Sequence, residues 1–145
     1  MARATRNYKT HSFYHVYNRG NNKDAVLKYP EDKRFFINLL YINIKKTDLQ
    51  LISYCIMDTH FHLIIKTGFS PYIIPKFMQR VTIAYAMQIN KKHKRVGHIF
   101  QGRYNAKLLQ YKKDLKEATR YLRNNPVQEG LVKKANAYPW TKSWE

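Results

Sequence analysis

With 145 residues, of which 44% are hydrophobic, the chain has enough apolar material for one core and too little for two, so a single domain over residues 1–145 is expected. Lysine and arginine total 27 against 9 acidic residues, a net charge of +18. A chain so basic repels itself unless its usual partner is a polyanion, and nucleic acid is the first candidate. No apolar run is long enough to span a bilayer, and the start Met1-Ala-Arg-Ala-Thr-Arg6 lacks the apolar centre of a secretory signal, so a cytoplasmic location is expected. Cys55 is the only cysteine, which excludes an internal disulfide, and its place in an apolar run reads as a buried thiol.

His11 to Tyr17 is aromatic and β-branched and precedes Asn18-Arg-Gly-Asn-Asn22, a turn signal, so it reads as the first strand. Pro30 opens a helix from Glu31 to about Lys46, with Phe35, Phe36, Leu39, Leu40 and Ile44 at helical spacing and acidic residues at its N-terminal end. Leu49 to Met57 and His60 to Lys66 read as two strands of a hairpin across Asp58-Thr59. Pro71 starts a long second helix, striped by Ile74, Phe77, Met78, Val81, Ala84 and Tyr85 and closed by the basic run Lys91 to Arg95. Gly97 to Gln110 holds a fourth strand. Asp114 with Glu117 reads as the cap of a third helix that reaches about Asn124 and is stopped by Pro126. This order predicts an α+β fold of ferredoxin-like or RRM-like βαββαβ plan: an antiparallel sheet, helices on one face and an extra C-terminal helix.

Within that plan the chemistry concentrates at two places. Residues i and i+2 of a strand share a face, so His60 and His62 present two imidazoles side by side while Phe61 and Leu63 point the other way. The pair is half of a metal site on a central strand. On the third helix Tyr121 and Asn125 are one turn apart on one face, and Asn125 sits near the carbonyl end of the helix, where a cation is favoured. An amide oxygen is a reasonable third ligand. A phenol, with a pKa of about 10, is a poor nucleophile by itself, but a metal-polarised phosphate needs less activation. Arg120 and Arg123 flank Tyr121 in sequence. Taken singly these features are ordinary: paired strand histidines are commonly surface or core-edge residues, a helix tyrosine is commonly core, and Asn before Pro is a common helix end.

Taken together they resemble a known family. His60-Phe61-His62 resembles the histidine-hydrophobic-histidine motif of single-tyrosine HUH transposases, the insertion-sequence-200-like class and its REP-associated tyrosine transposase relatives. Tyr121-Leu-Arg-Asn-Asn125-Pro-Val127 resembles their catalytic helix. Tyr14 to Gly20, Gly97 to Tyr104 and Pro139 to Ser143 resemble the first strand, the pre-helix segment and the C-terminal end. The resemblance implies that Tyr121 attacks a phosphate of single-stranded DNA, forming a 5′-phosphotyrosine and freeing a 3′-hydroxyl. It further implies Mg²⁺ or Mn²⁺ held by His60, His62 and Asn125, a hairpin in the DNA partner, and either a monomer or a homodimer, with the balance toward a dimer. The chain departs from the family at Asp58-Thr59, where a proline-asparagine pair is usual, so Asp58 is expected either to alter the turn or to assist the metal.

Outside this constellation, Arg19, Gln101 and Arg103 border glycine-containing turns and are expected DNA contacts, as are Arg120 and Arg123. His15 reads as a core-edge residue or a partner of the paired histidines, and Glu117, one turn before Tyr121 on the same face, as a cap in preference to a metal ligand or proton acceptor. The run Lys91 to Arg95 is expected to meet phosphates. The competing function is a non-catalytic RRM-like module that stacks single-stranded bases on Tyr14, Tyr17, Phe61 or Tyr104. A replication-initiator or relaxase nickase is the third reading.

Overall fold

The computed structural model describes residues 7–142; the basic start at Met1–Arg6 and Ser143 of the C-terminal motif lie outside the described residues. The strands are β1 (Phe13–Arg19), β2 (Gln50–Ile56), β3 (His60–Lys66), β4 (Asn105–Leu109) and β5 (Thr141–Lys142). They form one antiparallel sheet in the order β4-β1-β3-β2-β5. The helices are α1 (Pro30–Ile44), α2 (Ile73–His93) and α3 (Lys112–Gln128). The expected βαββαβ order is present, extended by α3 and by the short edge strand β5.

Alternation along the strands divides the core in two. Tyr14, Val16, Phe61, Leu63 and Ile65 pack under α1 and α2 with Phe36, Leu40, Phe77, Val81 and Tyr85. Ile64 and Leu109 face the other way and pack with Ala118 and Leu122 of α3. A bulge between Leu51 and Ser53 changes the phase of β2, so that Leu51 and Tyr54 both reach the α1/α2 side while Ile52 and Cys55 reach the α3 side. Phe61, Leu63 and Ile65 are fully buried, and each contributes about 2 kcal/mol of apolar burial. A one-residue slip of β3 would move all three out of the α1/α2 core to the α3 face and drive the histidines into that core, so the register is tightly fixed.

Boundaries differ from the sequence expectation where a partner sets them. β1 begins at Phe13 rather than His11, whose φ is 48°, and it runs through Asn18 and Arg19 because β3 pairs with it as far as Arg19 opposite His60. The turn therefore starts at Gly20, where an added Cβ would lie 2.2 Å from the Asp24 carbonyl oxygen.

The basic run at the end of α2 is largely occupied in holding the helices together. Asp32, buried in α1, accepts from Lys92 Nζ at 2.7 Å and from His93 Nε2 at 2.8 Å, and Arg95 meets Asp24 at 3.3 Å. This interhelical tie forms because a buried carboxylate requires partners.

α3 does not stop at Pro126. It continues to Gln128, with Pro126 inside it and both Asn125 and Pro126 buried. Its end is a Schellman motif: Leu131 N–H donates to the Pro126 carbonyl at 2.9 Å, Gly130 N–H donates to the Val127 carbonyl at 3.0 Å, and Gly130 has φ +76°. The start is capped through Asp114, whose Oδ2 accepts from Tyr111 N–H at 3.1 Å, whereas Glu117 is exposed. Gly130→Ala is expected to cost about 1 kcal/mol, since alanine must enter the left-handed region without meeting any obstacle. Urea denaturation checks this, and an unchanged midpoint would contradict the cap.

Candidate functional site

Antiparallel pairing sets a row of side chains across the α3 face: Asn105 opposite Tyr17, Tyr17 opposite His62, and His62 opposite Cys55. His15 lies one step along β1 on the same face, and His60 one step along β3. α3 crosses above them. The Tyr121 ring meets His62 edge-on at 5.4 Å between centroids and His15 at 6.2 Å, and Tyr17 stacks on His62 at 5.7 Å. Tyr121 is 47% exposed, and its hydroxyl makes no hydrogen bond among the described residues. A cavity of about 560 Å³ opens beside these groups, lined among others by Tyr17, Arg19, His60, His62, Gln101 and Tyr121.

The paired histidines are held at both ends. His62 Nε2 lies 2.9 Å from His60 Nδ1, and His62 Nδ1 lies 3.0 Å from His15 Nε2. His60 Nε2 lies 3.1 Å from Glu129 Oε1. Burial, followed by the neighbouring His60 and His15, lowers the pKa of His62 to about 3. Burial and then Lys107 lower that of His15 to about 4. Both are neutral at physiological pH, as metal-ligating or hydrogen-bond-relaying imidazoles must be. Burial, with Glu129 adding to it, raises the Cys55 thiol to about 12, which leaves it an inert core group.

The donor set fits a hard, open-coordinated cation. The two facing nitrogens, 2.9 Å apart, match adjacent corners of an octahedron with bonds of about 2.1 Å, which are separated by about 3.0 Å; tetrahedral zinc corners with the same bonds are about 3.4 Å apart. Among the described residues no three His, Cys, Asp or Glu side chains converge on one point, so further ligands must be amide, water or phosphate oxygens. Asn125, one helical turn beyond Tyr121, is buried, and its Oδ1 has no hydrogen-bond partner among the described residues, a costly state that a cation or a water would relieve.

The remaining expected site residues divide. Arg19 and Gln101 meet at the rim, Arg19 Nε donating to Gln101 Oε1 at 2.5 Å while Gln101 N–H donates to the Arg19 carbonyl at 2.9 Å. Arg103 lies instead beside a second groove of about 490 Å³ against α2, with its guanidinium 5.8 Å from the Tyr104 ring centroid. Arg120 and Arg123 are exposed, but at about 100° per residue they lie roughly 100° and 200° around α3 from Tyr121, so sequence neighbours of the tyrosine are not its spatial neighbours. Asp58 turns away from the histidines, its Oδ1 accepting from the buried Lys33 Nζ at 2.6 Å, so the suggestion that it assists the metal is not supported. Glu129 was not anticipated. It lies at i+4 from Asn125 and i+8 from Tyr121, a spacing that becomes visible once Gly130, rather than Pro126, is taken as the helix end.

Residues 8–125 match the family model for IS200-like transposases. The structure of a REP-associated tyrosine transposase bound to a REP hairpin is 15% identical, with a TM-score of 0.79 over 97% of this chain and 82% of that one. The crystal structure of a candidate transposase from Deinococcus radiodurans is 18% identical, with a TM-score of 0.57 over 85% of this chain and 97% of that one. At these identities the two likenesses establish the fold. No curated protein matches the chain.

The lowered histidines link stability to pH. An unfolded histidine titrates near 6.5, whereas folded His15 and His62 stay neutral to about 4 and 3. Below pH 6.5 the unfolded chain therefore binds protons that the folded chain refuses, and stability falls as the pH drops through that window. Between pH 7.5 and 5 the loss is expected to be up to about 2 kcal/mol per histidine. Urea midpoints at the two pH values test it, and equal midpoints would contradict neutral burial of the pair.

Proposed function

Because the chain belongs to the IS200-like transposase family, we propose that it cleaves and rejoins single-stranded DNA with Tyr121 as nucleophile and with His60, His62 and Asn125 holding Mg²⁺ or Mn²⁺. The observation that carries this reading is the seating of a half-exposed tyrosine, whose hydroxyl is unbonded among the described residues, beside a pair of histidines whose facing nitrogens are 2.9 Å apart.

The Tyr121 oxygen attacks the phosphorus, its proton passing to the solvent that the side chain reaches. The new bond is a 5′-phosphotyrosine; the bond from phosphorus to the 3′ oxygen breaks, and that oxygen takes up a proton to become a 3′-hydroxyl. Rejoining is the reverse attack by a 3′-hydroxyl, with the phenol restored, so the phosphoester energy is retained. Bound by the two imidazoles and the amide, the divalent ion supplies Lewis-acid neutralisation of charge on the phosphate oxygens. Arg19, fixed through Nε by Gln101, keeps its terminal amino groups for a phosphate at the cavity rim. Tyr17 offers a ring for stacking a base.

Every group named here belongs to one chain, which supports a tyrosine acting in cis within a monomer. The hairpin held by the REP-associated relative suggests a hairpin-flanked strand as the substrate. A binding-only module is disfavoured, since stacking bases requires neither an orphaned buried amide nor two imidazoles with facing nitrogens. Among the described residues no helix is long and apolar enough to cross a membrane.

A labelled hairpin-ended single strand incubated with the protein and Mn²⁺ is expected to yield a denaturation-resistant adduct. Tyr121→Phe should abolish the adduct while retaining most of the binding, and Tyr17→Phe should retain the adduct. Chelation, or His60→Ala, should reduce its formation at least 100-fold, about 3 kcal/mol of transition-state stabilisation. An undiminished adduct from the Tyr121 variant would overturn the assignment.

A further inference from the structure

We infer that Glu129 is a positioning residue for the metal-holding pair: its carboxylate fixes the His60 ring and leaves Nδ1, the nitrogen facing His62, free to bind a cation. This rests on the reading of His60 and His62 as metal ligands.

An ionised carboxylate can only accept a hydrogen bond. In its contact with His60 Nε2 at 3.1 Å the ring nitrogen is therefore the donor, and the tautomer that this contact favours has its lone pair on Nδ1. Nδ1 is the atom 2.9 Å from His62 Nε2. The same contact restrains rotation of the ring about its Cβ–Cγ bond and makes the imidazole a better donor, as a carboxylate behind a ligating histidine generally does. Glu129 does not itself complete the metal site. It touches the far edge of the ring, and among the described residues it does not converge with the two histidines on one point.

The placement follows from α3. Glu129 is the residue that caps the helix, its N–H donating to the Asn125 carbonyl at 3.0 Å, and the Schellman turn at Gly130 follows at once. Tyr121, Asn125 and Glu129 thus succeed one another at intervals of four along one helix face. Nucleophile, amide ligand and carboxylate support are delivered by a single rigid element. The opposite end of the pair is supported by His15 at His62 Nδ1, so each imidazole has one nitrogen turned to its partner and the other held by a fixed neighbour.

The test uses the whole chain without DNA. Mn²⁺ affinity is measured by calorimetry for wild type, Glu129→Gln, Glu129→Ala and His60→Ala, and the His60 Nε2–H proton is followed by NMR in the metal-free protein. The Glu129 side chain is 48% exposed, so the low end of the usual range applies, and Glu129→Ala is expected to weaken Mn²⁺ binding about tenfold. Glu129→Gln, which still offers an acceptor oxygen, is expected to lie between alanine and wild type. The Nε2–H resonance should be visible in wild type and lost by fast exchange in Glu129→Ala, with the thermal midpoint little changed. Binding by Glu129→Ala within twofold of wild type would overturn the inference alone. A wild type that binds no Mn²⁺, or one whose binding survives His60→Ala, would overturn the underlying metal reading and the inference with it.

Discussion

The pairing of β1 with β3 at the centre of the sheet is the constraint on which the rest depends. It sets Tyr17 opposite His62 and Arg19 opposite His60, which brings aromatic, imidazole and guanidinium groups onto one face at fixed spacing. The opposite face of the same two strands carries Tyr14, Val16, Phe61, Leu63 and Ile65 into the main core. The apolar burial that locks the register therefore also orients the polar site, with no flexible loop between the two.

The second element is α3. A ferredoxin-like sheet leaves one face without helices, and here a helix with a strongly one-sided apolar stripe covers part of it through Ala118, Leu122 and Pro126. Its flank supplies Tyr121, Asn125 and Glu129, while its outward side carries Lys113, Lys116 and Arg120, all exposed. Because the helix belongs to the same chain as the histidines beneath it, neighbouring groups of the site are held in one folding unit.

Much of this was legible in the chain. His60 and His62 could be placed on one face because strand periodicity leaves no alternative, and Tyr121 with Asn125 because helix periodicity is equally strict. What could not be read were long-range pairings. The side chains of Lys92 and His93 look free in sequence, but Asp32, some 60 residues earlier in the chain, claims them. Asp58 looks available beside the histidines, yet the strand turn aims it at Lys33. The departure with the largest consequence is local: in sequence Pro126 reads as a helix breaker, whereas the glycine four residues later forms the terminus. Burial of the proline and the Schellman hydrogen bonds outweigh the lost N–H, and with the extra turn comes Glu129.

The central claim is that Tyr121, and no other tyrosine of the chain, is joined to DNA. Arg120 and Arg123 bracket it, so tryptic digestion of a DNA-treated sample releases the tripeptide Tyr121-Leu122-Arg123 with the nucleotide attached, and mass spectrometry reads the linkage directly. The account predicts a 5′-phosphonucleotide on this peptide, formed only when divalent metal is present. A linkage on the peptide containing Tyr17, or none under conditions where single-stranded DNA is bound and cut, would contradict it.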